Sequence, residues 1–260
     1  MNVTLLNLNA DLGESFGPWE MGNDAAMLDV VNSANVACGF HAGDPLVMLE
    51  TVSTAASRGV SVGAHPSFPD LQGFGRRRMD VPLPELEAMI VYQIGALEAC
   101  ARVKGMRVTH VKPHGALSNI ACADRKVADA VAHAVHRLDP ALILLAPAAS
   151  QLIAAGRELG LPVVEEIFAD RAYLDDGNLV PRSQPGAMVH GAEASLKHVM
   201  RMVEERALIS INGKRIPVNP QSICVHGDND DAVATARAIR EGLLKAGFEL
   251  VSIPRLLGAE

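Results

Sequence analysis

Val108-Thr109-His110-Val111-Lys112-Pro113-His114-Gly115 alternates between two kinds of surface before Pro113 and Gly115 stop it. In an extended strand, alternate side chains share a face. His110, Lys112 and His114 therefore line up together, while Thr109 and Val111 point towards an apolar layer. Three nitrogen-bearing side chains on one face fit either a wetted polar edge strand or a strand that delivers a lysine and a histidine into a pocket. His114 lies just past the strand end and Lys112 at its last inward turn, so both can reach a rim. His110 sits one layer deeper, where a barrel is packed, and reads as a hydrogen-bonded supporter.

Working outward, short apolar runs recur at residues 3–8, 34–38, 60–63, 108–111, 142–146, 163–168 and 223–225. Helical patterns lie between them. Residues 124–138, for example, open on a capping aspartate and repeat Val127, Val131, Val135 and Leu138 at helical spacing. Alternating strand and helix predicts a parallel sheet with right-handed crossovers. The chain has 260 residues, close to the roughly 250 usual for a (β/α) barrel. With no linker-like stretch, residues 1–260 read as one α/β domain, a TIM-like barrel of seven parallel strands; a doubly wound open sheet is the alternative. Residues 208–218, turning on Asn212-Gly213, read as a small hairpin decoration.

The residues just past each strand form the decisive pattern. The first strand ends in Asn9, Asp11 and Glu14, the second in His41 and Asp44, the third in His65, and the fourth in Lys112 and His114. The fifth ends blandly at Pro147, the sixth in Asp170 and Arg171, and the seventh in His226 and Asp228. In a parallel barrel these ends share one rim, where active sites of this architecture sit. A lone histidine after a strand is more often structural than catalytic; four at equivalent positions point to a shared site. His133 and His198 lie opposite the apolar stripes of their helices and read as solvent-facing.

Composition narrows the partners. Hydrophobic residues make up 49% of the chain, and Lys+Arg of 23 against Asp+Glu of 30 leaves a net charge of −7. Without a basic run, neither nucleic acid nor an anionic membrane surface is expected as the main partner. The four cysteines form no C-x-x-C pair, so reduced thiols and a cytoplasmic location are the simpler reading. No apolar run reaches membrane-spanning length. Gly73-Phe74-Gly75 before Arg76-Arg77-Arg78 is too weak a signal for a phosphate cradle, and reads equally as a loop with a solvated basic cluster. Neither a Walker-type loop nor a G-x-S-x-G elbow occurs.

Six stretches together resemble the LamB/YcsF family: Asn7-Leu8-Asn9-Ala10-Asp11-Leu12-Gly13-Glu14, Asn35-Val36-Ala37-Cys38-Gly39-Phe40-His41-Ala42-Gly43-Asp44, Gly63-Ala64-His65-Pro66-Ser67-Phe68-Pro69-Asp70, His110-Val111-Lys112-Pro113-His114-Gly115, Phe168-Ala169-Asp170-Arg171 and Val225-His226-Gly227-Asp228-Asn229. The resemblance runs from first strand to last. It departs at Ser118-Asn119, where the family commonly places Tyr before Asn. It implies a seven-stranded barrel related to glycoside hydrolase and deacetylase barrels. It also implies hydrolysis of the lactam 5-oxo-L-proline to L-glutamate coupled to hydrolysis of ATP, supplied with magnesium, together with two further 5-oxoprolinase subunits. A lactam is a resonance-stabilised amide, so its opening at neutral pH calls for activation of its oxygen and a directed water. The residues expected to serve are Asp11, Glu14, His41, His65, Lys112, His114, Arg171, His226 and Asp228. Lys112 and Arg171 would hold substrate carboxylate or phosphate charge. An additional divalent ion is expected, if one is used, on Asp11, His41, His65 and His226. A stand-alone metal-dependent deacetylase or amidohydrolase, and a non-catalytic carrier of a small carboxylate, remain as alternatives.

Overall fold

The computed structural model describes residues 4–226 and 232–258. Strands β1 (Leu5–Leu12), β2 (Ser33–Ala37), β3 (Ser61–His65), β4 (Val108–Val111), β5 (Ile143–Pro147) and β6 (Val163–Phe168) follow one another round a parallel sheet. A short antiparallel hairpin, β7 (Ala207–Ile209) and β8 (Arg215–Pro217), precedes β9 (Ser222–His226). β9 pairs with both β6 and β1, which closes a seven-stranded parallel barrel. A further short strand, β10 (Glu249–Leu250), pairs with the start of β1.

The crossovers carry α1 (Asp24–Leu28), α2 (Pro45–Arg58), α3 (Leu83–Val103), α4 (Gly115–Ala123), α5 (Arg125–Leu138), α6 (Gln151–Glu158), α7 (Ala192–Glu205) and α8 (Ala232–Lys245), and α9 (Ile253–Leu256) follows β10. Local chemistry sets their ends. The Asp44 carboxylate accepts from the Leu46 and Val47 amides, Pro45 opens α2, and Gly59 ends it at φ 67°. Asp44, expected among the rim groups, is thus a helix cap. Asp124 caps α5 in the same way. No helix among the described residues is long and apolar enough to cross a membrane.

Leu8, Val36, Val62, Val111, Leu144, Ile167 and Ile223 face outward into the main apolar core beneath the helices. The barrel interior is different. Among the described residues, Ile143, Leu145 and Val164 make an apolar cluster there with Ile253 of α9. Elsewhere the interior is polar and buried: Asn7, Asn9, Ser33, Asn35, His110, Glu166 and Ser222 are all inaccessible. The C-terminal segment closes the bottom, where Asn7 Nδ2 donates to the Val251 carbonyl (2.7 Å) and the Ile253 amide to Ser33 Oγ (3.1 Å).

Register explains how His110 fits inside. Asn35 pairs with Gly63, and Gly63 with His110. A Cβ on Gly63 would fall within the His110 ring, so glycine there opens the path by which His110 Nε2 donates to Asn35 Oδ1 across β3 (3.0 Å).

Two expectations are corrected. β2 ends at Ala37 and Gly39 turns the chain at φ 92°, so His41 lies in the loop beyond the strand rather than at its end. α7 buries Ser195, Val199, Met202 and Val203, a face that keeps Val203 of the expected Leu196, Met200, Val203 stripe but is rotated from the other two. His198 therefore lies half-buried, its Nε2 donating to the Arg171 carbonyl (3.0 Å), rather than facing solvent. His133 is exposed.

Candidate active site

The rim at the C-terminal ends of the strands encloses a cavity of about 580 Å³, whose lining includes Asp11, Glu14, His65, Lys112, His114, Arg171 and His226. Lys112 reaches across the floor. Its ammonium donates to Asp11 Oδ1 (2.9 Å) and Cys224 Sγ (3.0 Å), and pairs with Glu166 Oε1 at 3.1 Å. The Phe168 ring lies 5.3 Å from it. Burial alone would lower the Lys112 pKa, but the Asp11 and Glu166 carboxylates more than offset this and hold it well above the ordinary lysine value. Burial would likewise raise Asp11; His65 and Lys112 outweigh it and hold the carboxyl well below its usual range. Lys112 and Asp11 therefore face each other as ions. Glu166 is pushed up by burial, although Lys112 and Asn9 oppose that.

A layer of amides underneath orients these charges. Asn35 Nδ2 donates to Asp11 Oδ1 (2.9 Å) and Asn9 Oδ1 (2.7 Å), and Asn9 Nδ2 to Glu166 Oε1 (2.9 Å). With Oδ1 engaged by both Lys112 and Asn35, Asp11 turns Oδ2 towards His65 Nε2 at 3.3 Å. His110 is driven by burial to a pKa of about 3 and is a neutral member of this layer.

Three histidines stand together on one side. His41 stacks on His114 with ring centroids 3.8 Å apart and planes 7° from parallel. His65 meets His114 edge-on, with His114 Nδ1 2.9 Å from His65 Nε2. Glu14 Oε1 lies 3.3 Å from His41 Nε2 and 3.6 Å from His114 Nδ1.

Behind them comes the Gly73-Phe74-Gly75 loop. Phe74 adopts φ 54°, a costly conformation for a bulky residue, and its carbonyl accepts from His114 Nε2 at 2.8 Å. Gly75 has φ 63°, and a Cβ there would press on His114 and His41 at 2.9 Å. The loop is a clamp on the histidines. Its neighbour Arg77 is paired with Asp70.

On the opposite side His226 Nδ1 binds Asp170 at 2.8 Å, while its Nε2 stands 4.0 Å from Asp11 Oδ2. Burial would lower His226 and raise Asp170. Each is carried the other way by its partner, so His226 is raised and Asp170 lowered. Arg171 donates from Nη2 to the Val180 carbonyl (2.8 Å), and its buried Nε has no partner among the described residues. Burial, then Arg182, lower its pKa to about 10. The β7–β8 hairpin buttresses the loop that follows Arg171: Ser210 Oγ donates to Asp175 Oδ1 (2.5 Å) and the Ile211 amide to the Tyr173 carbonyl (2.8 Å).

A sequence model of the LamB/YcsF family matches residues 6–258. The chain belongs to the LamB/YcsF family. It is 55% identical to the A subunit of a 5-oxoprolinase from Azoarcus sp. over 96% of this chain and 98% of that one. A crystal structure of a lactam utilization protein from Thermus thermophilus superposes with a TM-score of 0.90 at 44% identity, covering 96% of this chain and 100% of that one. The peptidoglycan deacetylase PdaC from Bacillus subtilis shares the fold at a TM-score of 0.52 and 13% identity, over 99% of this chain and 92% of that one.

The LamB/YcsF motifs thus converge on one cavity. Of the nine expected site residues, seven line it; His41 stands behind His114, and Asp228 lies outside the described residues. The quartet expected for a metal does not form one set. Among the described residues, atoms within 4.8 Å of one another come from Glu14, His41, His65 and His114, and separately from Asp11, Cys224 and His226.

Glu166, Cys224, Asp170 and Phe74 are not among the residues assigned to the site from sequence. Alternation does signal Glu166, which shares the inner face of β6 with Val164 and Phe168, whereas Glu165 points out to Arg157 at 2.5 Å.

Proposed function

We propose that this chain is the A subunit of an ATP-dependent 5-oxoprolinase, in which it binds 5-oxo-L-proline and opens its lactam to L-glutamate. The names of the relatives at 55% and 44% identity support the substrate class. The structural observation that carries the reading is the pair of buried cations in one cavity. Arg171 keeps a buried Nε–H without a partner among the described residues, suited to the substrate carboxylate. Lys112 offers a fixed ammonium whose weakest acceptor, the Cys224 thiol, a substrate oxygen can replace.

ATP, brought with magnesium, acts as co-substrate by phosphorylating the lactam oxygen. ADP departs, water adds at the ring carbonyl carbon and the carbon–nitrogen bond breaks to leave γ-glutamyl phosphate, which a second water cleaves to L-glutamate and phosphate. Asp11, held ionised, takes the proton from water. His226, kept more readily protonated by Asp170, gives one to the departing nitrogen. That the Azoarcus relative is one lettered subunit of an enzyme supports a multisubunit assembly, which we take to hold two further subunits.

The test is glutamate formation from 5-oxoproline by this chain alone and with its two partner subunits, each with and without ATP. Glutamate is expected only from the complete assembly with ATP. Formation by this chain alone without ATP would replace the reading with a stand-alone amidohydrolase.

A further inference from the structure

Two ring nitrogens in the cavity wall face each other, each with a carboxylate oxygen beside it. His65 Nδ1 lies 2.6 Å from the Lys112 carbonyl oxygen, and His114 Nε2 lies 2.8 Å from the Phe74 carbonyl oxygen. A carbonyl only accepts, so each of these ring nitrogens carries the hydrogen. In the neutral rings, His65 Nε2 and His114 Nδ1 are then both bare lone pairs, yet they face each other at 2.9 Å. Asp11 Oδ2 stands 3.3 Å from the first and Glu14 Oε1 3.6 Å from the second. With both rings neutral, the two facing lone pairs repel unless something positive sits between them.

We propose that Glu14, His65 and His114 bind a divalent transition-metal ion of the zinc class, with Asp11 Oδ2 on its open side. The spacing suits such an ion. Metal–ligand bonds of about 2.0–2.1 Å give ligand–ligand edges of about 2.9 Å at a right angle and about 3.3 Å in a tetrahedron. The edges between His65 and His114 (2.9 Å) and between His114 and Glu14 (3.6 Å) lie near these values.

Imidazole nitrogen excludes the all-oxygen preference of magnesium and calcium, so this ion is distinct from the magnesium that accompanies ATP. The two backbone carbonyls act as the outer partners of metal-bound histidine do: they fix the tautomer and aim the ring. The strained Phe74 and the obligatory Gly75 place one of those carbonyls, which gives the clamp loop a purpose. His41 stacks on His114 and reaches Glu14 from behind, as a positioning residue. His226 is committed to Asp170 and stands outside the set.

Metal binding at these residues does not depend on the identity of the substrate, and it can be read without turnover. The full chain, produced without a metal-affinity tag and stripped of metal, is titrated with Co²⁺ and Zn²⁺. One ion per chain is expected, with cobalt absorption bands of nitrogen and oxygen ligation. His114→Ala and Glu14→Gln should each weaken binding at least tenfold to a hundredfold, since even loss of an outer partner costs about that much. Because a variant may lose its fold, nitrogen-15 NMR of the wild-type histidines provides an independent reading. Zinc should shift His65 Nε2 and His114 Nδ1 while His65 Nδ1 and His114 Nε2 keep their hydrogens. No stoichiometric binding, or a proton shared between the two rings that persists at saturating zinc, would overturn the proposal in favour of an imidazolium pair.

Discussion

The two sides of the barrel interior are built on opposite principles. At the base near β5, Ile143, Leu145, Val164 and Ile253 pack as an ordinary apolar core. On the β1–β4 side, Asn7, Asn9, Asp11, Ser33, Asn35, His110 and Lys112 fill the same interior with polar groups joined in a hydrogen-bonded network. The apolar side stabilises without caring which atom sits where. The polar side gains less from burial, but each member fixes the direction of the next, and so the charges at the rim have set orientations. One barrel therefore combines a foundation with a positioned site.

Substitutions can break or sharpen that contrast. The largest effect is expected from Lys112→Met, which leaves Asp11 and Glu166 without their shared cation. Removing one partner of such a buried set costs about 3–5 kcal/mol, readable by urea unfolding, and adding Glu166→Gln should restore part of the loss. Leu145→Ala attacks the other side and should cost about 2–5 kcal/mol through the cavity it leaves. Activity per folded molecule should stay close to wild type, and a large fall would mean that the base also shapes the site.

Gly63→Ala should cost about 1–3 kcal/mol, because the new methyl displaces His110 from Asn35. A shift in the His110 ring resonances would register the displacement. The smallest effect concerns pH. The raised His226 contributes stability that is full below the ordinary histidine value of about 6.5 and is lost as pH rises through its folded value. The lowered Asp170 contributes above about pH 3.9 and loses its contribution as pH falls through its folded value. Asp170→Asn should thus cost more stability near about pH 5.5 than near about pH 9, and NMR titration should show the His226 pKa falling.

Much of this is legible in the sequence. Alternation in 108–112 separates His110 and Lys112 from Val111, and the structure puts the former inside and the latter outside. The recurrence of ionisable groups after strands marks the rim. Other features are hidden for physical reasons. His41 follows a positive-φ glycine, beyond which strand periodicity carries no information. The pattern around His198 misleads because α7 has two adjacent apolar stripes and tertiary packing chooses between them. Phe74 and Gly75 act through backbone atoms, a carbonyl and a missing Cβ, which no residue-type pattern displays. Which ring nitrogens of His65 and His114 donate to the backbone depends on carbonyls contributed by distant residues, visible only once the chain is folded.

The role of the polar side is tested most directly by kcat/KM for 5-oxoproline in the complete ATP-driven assembly carrying Lys112→Met, measured where the variant is folded and assembled. If Lys112 stabilises charge on the opening lactam, the value should fall by about a hundredfold or more. Turnover close to wild type would contradict the placing of the chemistry on the polar side of this barrel.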